Sequence, residues 1–374
     1  MRRRVLIYGA SGYSGRLIAR RASALGCDAV LAGRNADRLR PLAASLGRPW
    51  RVVGLDSAVS LDAALADVGT VLHAAGPFAS TALPMLEACL RTRTHYLDIA
   101  GELTVFQAVR RHDAEARARG VMLMPGAGFA IAASDCLAAH VAARVPQARY
   151  LRLALSRQEF TSRGSVRTML GLIRGGVSVR RNGELVSVPV GRLERGFDFG
   201  EGERRSTAVS WADVVTAHET TSIPNIEVYA EADPLSRAAY QAAAWIAAPL
   251  GQAASGSLLQ PLAGLWPEGP SDARRASRRH VIVAEVEDRW RQHTRARLTT
   301  PDGYSVTPVI AMEIVQRVLA GEIRPGFQTP AGLLGPDMIL ACEGVHREDL
   351  DASWQPAALP ASRRGITSEA GAGR

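Results

Sequence analysis

Seven residues near the start of the chain, Gly9-Ala10-Ser11-Gly12-Tyr13-Ser14-Gly15, have the composition of an anion cradle. They follow a short apolar run, Arg3 to Tyr8, that reads as a buried strand, and they lead into Arg16 to Leu25, patterned as a helix. Glycines at such a turn let backbone amides approach a pyrophosphate, whose charge settles against the positive end of the helix. Gly9, Ser11, Gly12, Tyr13, Ser14 and Gly15 are therefore candidate cofactor-binding residues. A second strand, Cys27 to Ala32, ends in Gly33-Arg34-Asn35, with Arg38 one turn further on. At this position an acidic residue hydrogen-bonds the ribose 2′-hydroxyl of NAD, whereas arginine accepts the 2′-phosphate of NADP. No Asp or Glu stands at the tip of this strand, so Arg34, Asn35 and Arg38 favour NADPH over NADH. The competing reading of Arg34 is a solvated loop arginine in an arginine-rich chain.

Ligands of an open parallel sheet bind at the carboxyl ends of its strands, which gives three further strand ends weight. Thr70 to Ala75 runs into Gly76-Pro77-Phe78, where the backbone of Ala75, Gly76 and Pro77 is a candidate contact for the nicotinamide ribose and Phe78 for the substrate. Thr94 to Ile99 carries Tyr96 and Asp98, which alternation places on one face, and continues to Gly101-Glu102. A carboxylate within an apolar strand is costly unless it is hydrogen-bonded or used. Asp98 is thus the first catalytic candidate and Tyr96 the second; the alternative for Asp98 is that it ties down neighbouring loop amides. His95 faces away and reads as a satisfied core residue, and Glu102 as a residue of helix entry. Val121 to Met124 ends in Pro125-Gly126-Ala127-Gly128-Phe129, with Gly128 and Phe129 as substrate candidates, and Ser134-Asp135 reads as a helix start.

Composition bounds what these residues do. The chain has 374 residues, 47% hydrophobic and 22% charged, which is long enough for two cored domains. Its formal charge of +9 is spread over scattered arginines with no aromatic-interleaved basic helix, so nucleic acid is not the expected partner. All 45 basic residues are arginine. The absence of lysine excludes the Tyr-x-x-x-Lys chemistry of short-chain dehydrogenases and any lysine Schiff base. Cys27, Cys89, Cys136 and Cys342 have no metal-ligand or disulfide spacing, so no metal is expected and a reducing cytoplasm fits. The most apolar stretch, Ala238 to Trp266, is broken by Pro249, Gly251, Gly256 and Pro261; it reads as packed helix without stable membrane insertion.

The elements that must position these residues alternate over the first 125 residues. Strands at Trp50–Gly54, Thr70–Ala75, Thr94–Ile99 and Val121–Met124 are separated by helical patterns at Asp37–Leu46, Ser60–Ala66, Leu83–Arg91 and Val105–Arg119. Such runs predict a Rossmann-type, doubly wound parallel sheet, an α/β fold. From about Arg149 the texture shifts to longer strands and hairpins: Tyr150 to Gln158, Val177 to Arg181 with Asn182-Gly183 before Leu185 to Val190, and His280 to Arg289 facing Gln292 to Thr299. This predicts a second α+β domain with a mostly antiparallel sheet. The expected division is a cofactor domain over 1–128 completed by about 303–350, a substrate or dimerisation domain over 129–302, and a disordered tail over 351–374. Ser156-Arg157 and Ser162-Arg163, near the domain junction, suit a carboxylate or phosphate. Trp211 and His218, before the Ile223-Pro224 turn, either cap the pocket or pack the junction.

Gly9 to Gly15, Ala75-Gly-Pro-Phe78, His95 to Glu102, Pro125 to Phe129 with Ser134-Asp135, Ile223-Pro-Asn-Ile-Glu227 and Gly326-Phe-Gln-Thr-Pro330 occur in order along nearly the whole chain. In this set the chain resembles the saccharopine dehydrogenase-like oxidoreductases. The resemblance implies a split Rossmann domain completed by a C-terminal helix, an inserted domain for substrate and often dimerisation, and NAD(P)-dependent reduction. Ala133 replaces the family's proline before the Ser-Asp pair, and Ala130-Ile131 replaces its second Gly-Phe repeat, so substrate identity does not transfer.

The expected function is an NADPH-dependent reductase delivering hydride to a C=N or C=O group of a small anionic metabolite, with Asp98, Tyr96 or water handling the proton. One alternative keeps the cofactor and reduces the C=C bond of a carrier-bound or CoA-bound acyl chain. A phosphorylating semialdehyde dehydrogenase with Cys136 as nucleophile, and a non-catalytic NADPH sensor, are the others.

Overall fold

A computed structural model describes residues 3–157, 176–234, 237–238 and 267–351. Arg163, the alanine-rich stretch from residue 239 to 266 and the tail from 352 lie outside the described residues.

Nine elements build the first half of the parallel sheet and its helices. They are β1 (Val5–Tyr8), α1 (Tyr13–Ala24), β2 (Ala29–Gly33), α2 (Ala36–Leu46), β3 (Trp50–Val52), α3 (Ala58–Leu65), β4 (Thr70–His73), α4 (Phe78–Thr92) and β5 (His95–Asp98). β1, β2, β4 and β5 are buried at every position, as strands covered on both faces must be. Then come α5 (Leu103–Arg111), α6 (Asp113–Arg119), β6 (Met122–Met124) and α7 (Phe129–Arg144). The single helix expected over Val105 to Arg119 is therefore two, parting at His112, which ends the first and caps the second. The expected helix start at Ser134-Asp135 is also corrected. The helix begins at Phe129, and both residues lie buried inside it, because the chain turns directly from β6 through Gly128 into an apolar, alanine-rich segment.

The second half holds β7 (Tyr150–Leu155), β8 (Val177–Arg181), β9 (Glu184–Val188), β10 (Glu194–Asp198), β11 (Glu203–Ala208), α8 (Asp213–Thr221), β12 (Asn225–Glu231), α9 (Asp272–Ser277), β13 (Arg279–Glu287) and β14 (His293–Pro301). The chain closes with α10 (Gly303–Ala320), β15 (Gly326–Phe327), α11 (Pro330–Leu334) and β16 (His346–Asp349). Asn182 and Gly183 turn the β8–β9 hairpin with φ of 49° and 88°, the left-handed values such a two-residue turn requires.

One sheet is wholly parallel in the order β15-β6-β5-β4-β1-β2-β3. Its first strand sits inside, so the chain winds outward through β2 and β3 and then restarts on the other side at β4. That reversal opens a crevice between the ends of β1 and β4, where such sheets bind ligands. β15 pairs with β6 and α10 packs on α1, so the late chain returns to this layer. The second sheet runs β10-β11-β12-β7-β13-β14-β16, with β8 and β9 attached at β12. Among the described residues of this sheet, only β7 and β12 pair in parallel; the other pairings are antiparallel. A continuous apolar core joins both layers through α7, and a smaller cluster around Phe197 and Tyr229 fills the far face of the second sheet. Burying a large apolar side chain such as Phe106 contributes roughly 1.5–3 kcal/mol, so this shared core holds the two layers as one packed unit.

Candidate functional site

The glycine turn is built for close approach. Gly9 has φ +84°, and a Cβ there would lie 2.7 Å from the Ala75 side chain. At Gly15 an added Cβ would fall 2.1 Å from the Gly9 carbonyl oxygen, so only glycine lets α1 start this close to β1. The Gly9 amide donates to the Ala32 carbonyl and the Ala74 amide to the Tyr8 carbonyl, which holds the ends of β2, β1 and β4 side by side.

Between them lies a cleft of about 440 Å³. Gly9, Ser11, Gly12, Tyr13, Ser14, Arg34, Asn35, Arg38, Ala75, Gly76 and Pro77 line it. Gly15, beneath the turn, shapes the cleft without lining it. Arg34 and Arg38 are exposed at the rim, and no carboxylate of β2 stands beside them. The Asn35 side chain accepts from the Arg38 amide and caps α2, so Asn35 organises the rim. The cradle, the helix terminus and the paired arginines fit a dinucleotide: the turn and α1 would hold its pyrophosphate and the arginines a ribose phosphate.

Beneath the cleft lies an aromatic layer. His73 lies 5.4 Å from the Tyr8 ring and 5.4 Å from Phe78. Burial pushes its pKa down to about 3, which keeps it neutral. The Thr81 hydroxyl, 3.0 Å from His73 Nε2, donates to the Ala75 carbonyl at 2.6 Å and so fixes the loop after β4. Phe78 is packed into this layer at the start of α4 and does not line the cleft.

Asp98 and Tyr96 come together, but inside the protein. Both are fully buried, and the Tyr96 hydroxyl donates to Asp98 Oδ2 at 2.7 Å. Asp98 Oδ1 accepts from the amides of Ala100 and Gly126, each at 2.9 Å. One carboxylate thus ties the loop after β5 to the loop after β6, the geometry of the loop-tying alternative. Burial raises the Asp98 pKa to about 6, against those three donors, and lifts that of Tyr96 well above the usual phenol range. His95 accepts from the Met122 amide at 3.1 Å and is a satisfied core residue.

Gly128 caps α7, and the Phe129 amide donates to Thr307 of α10 at 3.2 Å. The Phe129 ring packs 5.2 Å from His280. Arg157 is not brought to the cleft: its guanidinium pairs with Asp233 at 2.9 Å while its amide donates to Glu231, at the end of β12. Trp211 donates to the Ala130 carbonyl and so packs the junction, whereas His218 donates locally to the Ile223 carbonyl and fixes the turn into β12. Cys136 is fully buried in α7, and burial pushes its thiol far above its ordinary range, which removes the nucleophile a semialdehyde dehydrogenase needs.

Three residues near the cleft, Glu268, Arg16 and Tyr304, escaped sequence reasoning. Glu268 lines it from a loop more than 200 residues away, pairing with Arg16 and Arg38. Tyr304 packs edge-to-face on Tyr13 at 5.3 Å. No local pattern marks Glu268, which sits in a plain Pro-Glu-Gly-Pro loop. Among the described residues, no helix is long and apolar enough to cross a membrane.

Residues 5–124 match the saccharopine dehydrogenase NADP binding domain family. Over 139 residues the chain is 34% identical to a trans-acting enoyl reductase of Mycobacterium leprae, an alignment covering 35% of this chain and 33% of that protein. The match thus spans about a third of that relative's length. In structure the chain is similar to saccharopine dehydrogenase (L-Glu forming) from Saccharomyces cerevisiae, with a TM-score of 0.63 at 13% identity over 93% of this chain and 100% of the other. It is also similar to a homospermidine synthase from Legionella pneumophila, solved in complex with NAD, with a TM-score of 0.61 at 10% identity over 99% and 95%. At these identities the structural likeness bears on fold alone. Residues 5–124 of the chain therefore match the NADP-binding domain of the saccharopine dehydrogenase family, and the whole chain shares the fold of saccharopine dehydrogenase.

Proposed function

We propose that the protein is an NADPH-dependent reductase whose hydride acceptor is the conjugated C=C bond of a carrier-bound or CoA-bound acyl chain. The observation that carries the cofactor choice is the rim of the cleft, where Arg34 and Arg38 stand at the tip of β2 with no acidic residue of that strand beside them. When bound, the reduced nicotinamide supplies a hydride to the carbon β to the thioester carbonyl, and a proton from water or protein completes the α carbon. Gly9 to Gly15 and the start of α1 hold the pyrophosphate, and Arg34 with Arg38 takes the 2′-phosphate. Asp98 is a positioning residue: it ties the loops after β5 and β6 together from inside the protein without touching the reactants.

Two observations favour the acyl substrate over a small anionic one. A relative similar in sequence over about a third of its length is named a trans-acting enoyl reductase, and Arg157, the described arginine expected to bind a small carboxylate, pairs with Asp233. The second reading, hydride transfer to a C=N or C=O group, keeps the same cofactor site and the structural likeness to saccharopine dehydrogenase. NADPH oxidation followed at 340 nm against panels of enoyl thioesters, ketones and imines separates them. Turnover confined to ketones or imines overturns the enoyl reading. Tight NADPH binding without turnover on any panel makes the protein a sensor instead.

A further inference from the structure

The cleft already contains an anion. Glu268 sits in the loop that precedes α9 and enters the second sheet at β13, yet its carboxylate spans two arginines of the first layer. Oε2 accepts from Arg16 at 2.8 Å, and Oε1 accepts from Arg38 in a short contact. Arg16 also donates to the Ser11 carbonyl at 3.0 Å, which aims its guanidinium across the glycine turn. These two arginines hold the Glu268 carboxyl below its ordinary range, so it stays ionised near neutrality.

The loop carrying Glu268 is seated as well as charged. The Tyr13 hydroxyl donates to the Pro270 carbonyl at 2.6 Å. Gly269 lies flat on the Tyr13 ring, where an added Cβ would be 2.5 Å from ring carbons. Ser271 then caps α9 through the Arg274 amide. Arg34, across the rim, makes no ion pair among the described residues and remains available to a ligand.

We infer that Glu268 is a specificity-determining residue, a built-in competitor for the arginine that receives the 2′-phosphate of NADPH. This rests on the cleft being the NADP(H) site. A dianionic 2′-phosphate and a carboxylate cannot share Arg38 at close range without mutual repulsion, so NADPH binds only as Glu268 leaves Arg38. NADH carries no charge at that position and leaves the Glu268–Arg38 pair intact. Glu268 therefore narrows the preference for NADPH that Arg34 and Arg38 create, and it makes NADPH binding compete with docking of the 267–271 loop on the glycine turn.

The test is E268Q in the full chain, which keeps the shape and removes the charge. Titration calorimetry would use NADPH, NADH and two fragments, 2′,5′-ADP and 5′-AMP, with thermal unfolding as the check on folding. The expected result is that E268Q binds NADPH and 2′,5′-ADP roughly tenfold more tightly, with NADH and 5′-AMP changed by less than about twofold. Unchanged or weakened NADPH binding in a folded E268Q protein, with wild type binding NADPH, overturns the inference and leaves the cofactor reading standing. Absence of NADPH and NADH binding in both proteins overturns the cofactor reading and the inference together. If E268Q unfolds, E268D, which retains the charge on a shorter arm, must bind NADPH more tightly than wild type, or the competition does not exist.

Discussion

The two sides of the parallel sheet treat charge in opposite ways. At the β1–β2 side the charged groups Arg34, Arg38 and Glu268 line a cleft where water or a ligand reaches them. At the β5–β6 side the charged group is Asp98, fully buried and bonded to two loop amides and a tyrosine. An exposed arginine keeps most of its hydration, and an ion pair it makes at the surface contributes little to stability. A buried carboxylate has lost its water and must be satisfied by the fold, so its work is to hold structure. The comparison predicts that charges on one side govern binding with little effect on folding, and that the charge on the other governs folding.

The largest effect should follow from Asp98→Ala. It leaves the Ala100 and Gly126 amides and the Tyr96 hydroxyl without their acceptor. At about 1–3 kcal/mol for each orphaned group, and with partial relaxation, roughly 3–5 kcal/mol of stability should be lost in urea unfolding. Asp98→Asn sharpens this result, because its carbonyl can keep both amide bonds while its amide faces Tyr96. The Asp98 pKa is raised in the fold, from 3.8 to about 6. The folded state therefore binds the extra proton, and the stability it contributes is present below pH ~4 and lost as pH rises toward 6. That loss is about 3 kcal/mol over the interval, and Asp98→Asn should flatten it. If Asp98→Asn instead kept stability and its pH slope but abolished turnover, Asp98 would be a proton donor and the contrast between the two sides would break.

Gly15→Ala comes next. The added methyl meets the Gly9 carbonyl, so α1 must shift away from the turn, and cofactor binding should fall on the order of a hundredfold, with about 2 kcal/mol of destabilisation. Binding unchanged in a folded variant would show that this turn does not cradle the phosphates. The smallest effect on the fold belongs to Arg34→Asp, with a melting temperature within a degree or two of wild type. NADPH should nevertheless bind at least tenfold more weakly while NADH is spared. Equal loss of both cofactors would sink the 2′-phosphate role.

Much of the cofactor side was legible because its determinants are local. A buried run, a glycine turn and a helix lie within the first 25 residues, and Arg34 and Arg38 follow the next strand at once. The identity of β1, β2, β4, β5 and β6 could be read from apolar runs for the same reason. Tyr96 and Asp98 were placed on one face by alternation, which holds. Whether that face opens to a cleft or closes into the core depends on the loop at Gly126 and on α7 beyond it, and alternation says nothing of those. Ser134-Asp135 looked like a helix start because Ser and Asp favour that position. The structure puts them mid-helix, where Asp135 accepts from Thr220 at 2.6 Å and from the Ala331 amide at 2.8 Å, and no spacing rule links three such distant segments.

Local periodicity, the glycine cradle, the missing lysine and the arginines after β2 are properties of the sequence by itself. They determine a parallel sheet with a glycine turn at its crevice and exclude lysine-dependent chemistry. Tertiary structure alone decided the rest: that Asp98 is a knot and not an open acid, that Arg157 pairs with Asp233, and that Glu268 crosses from the second layer to sit on Arg16 and Arg38. The physical reason is range. Backbone conformation and strand burial follow from neighbours a few residues apart, whereas the hydration and partners of a charged side chain are set by segments that meet only when the chain has folded.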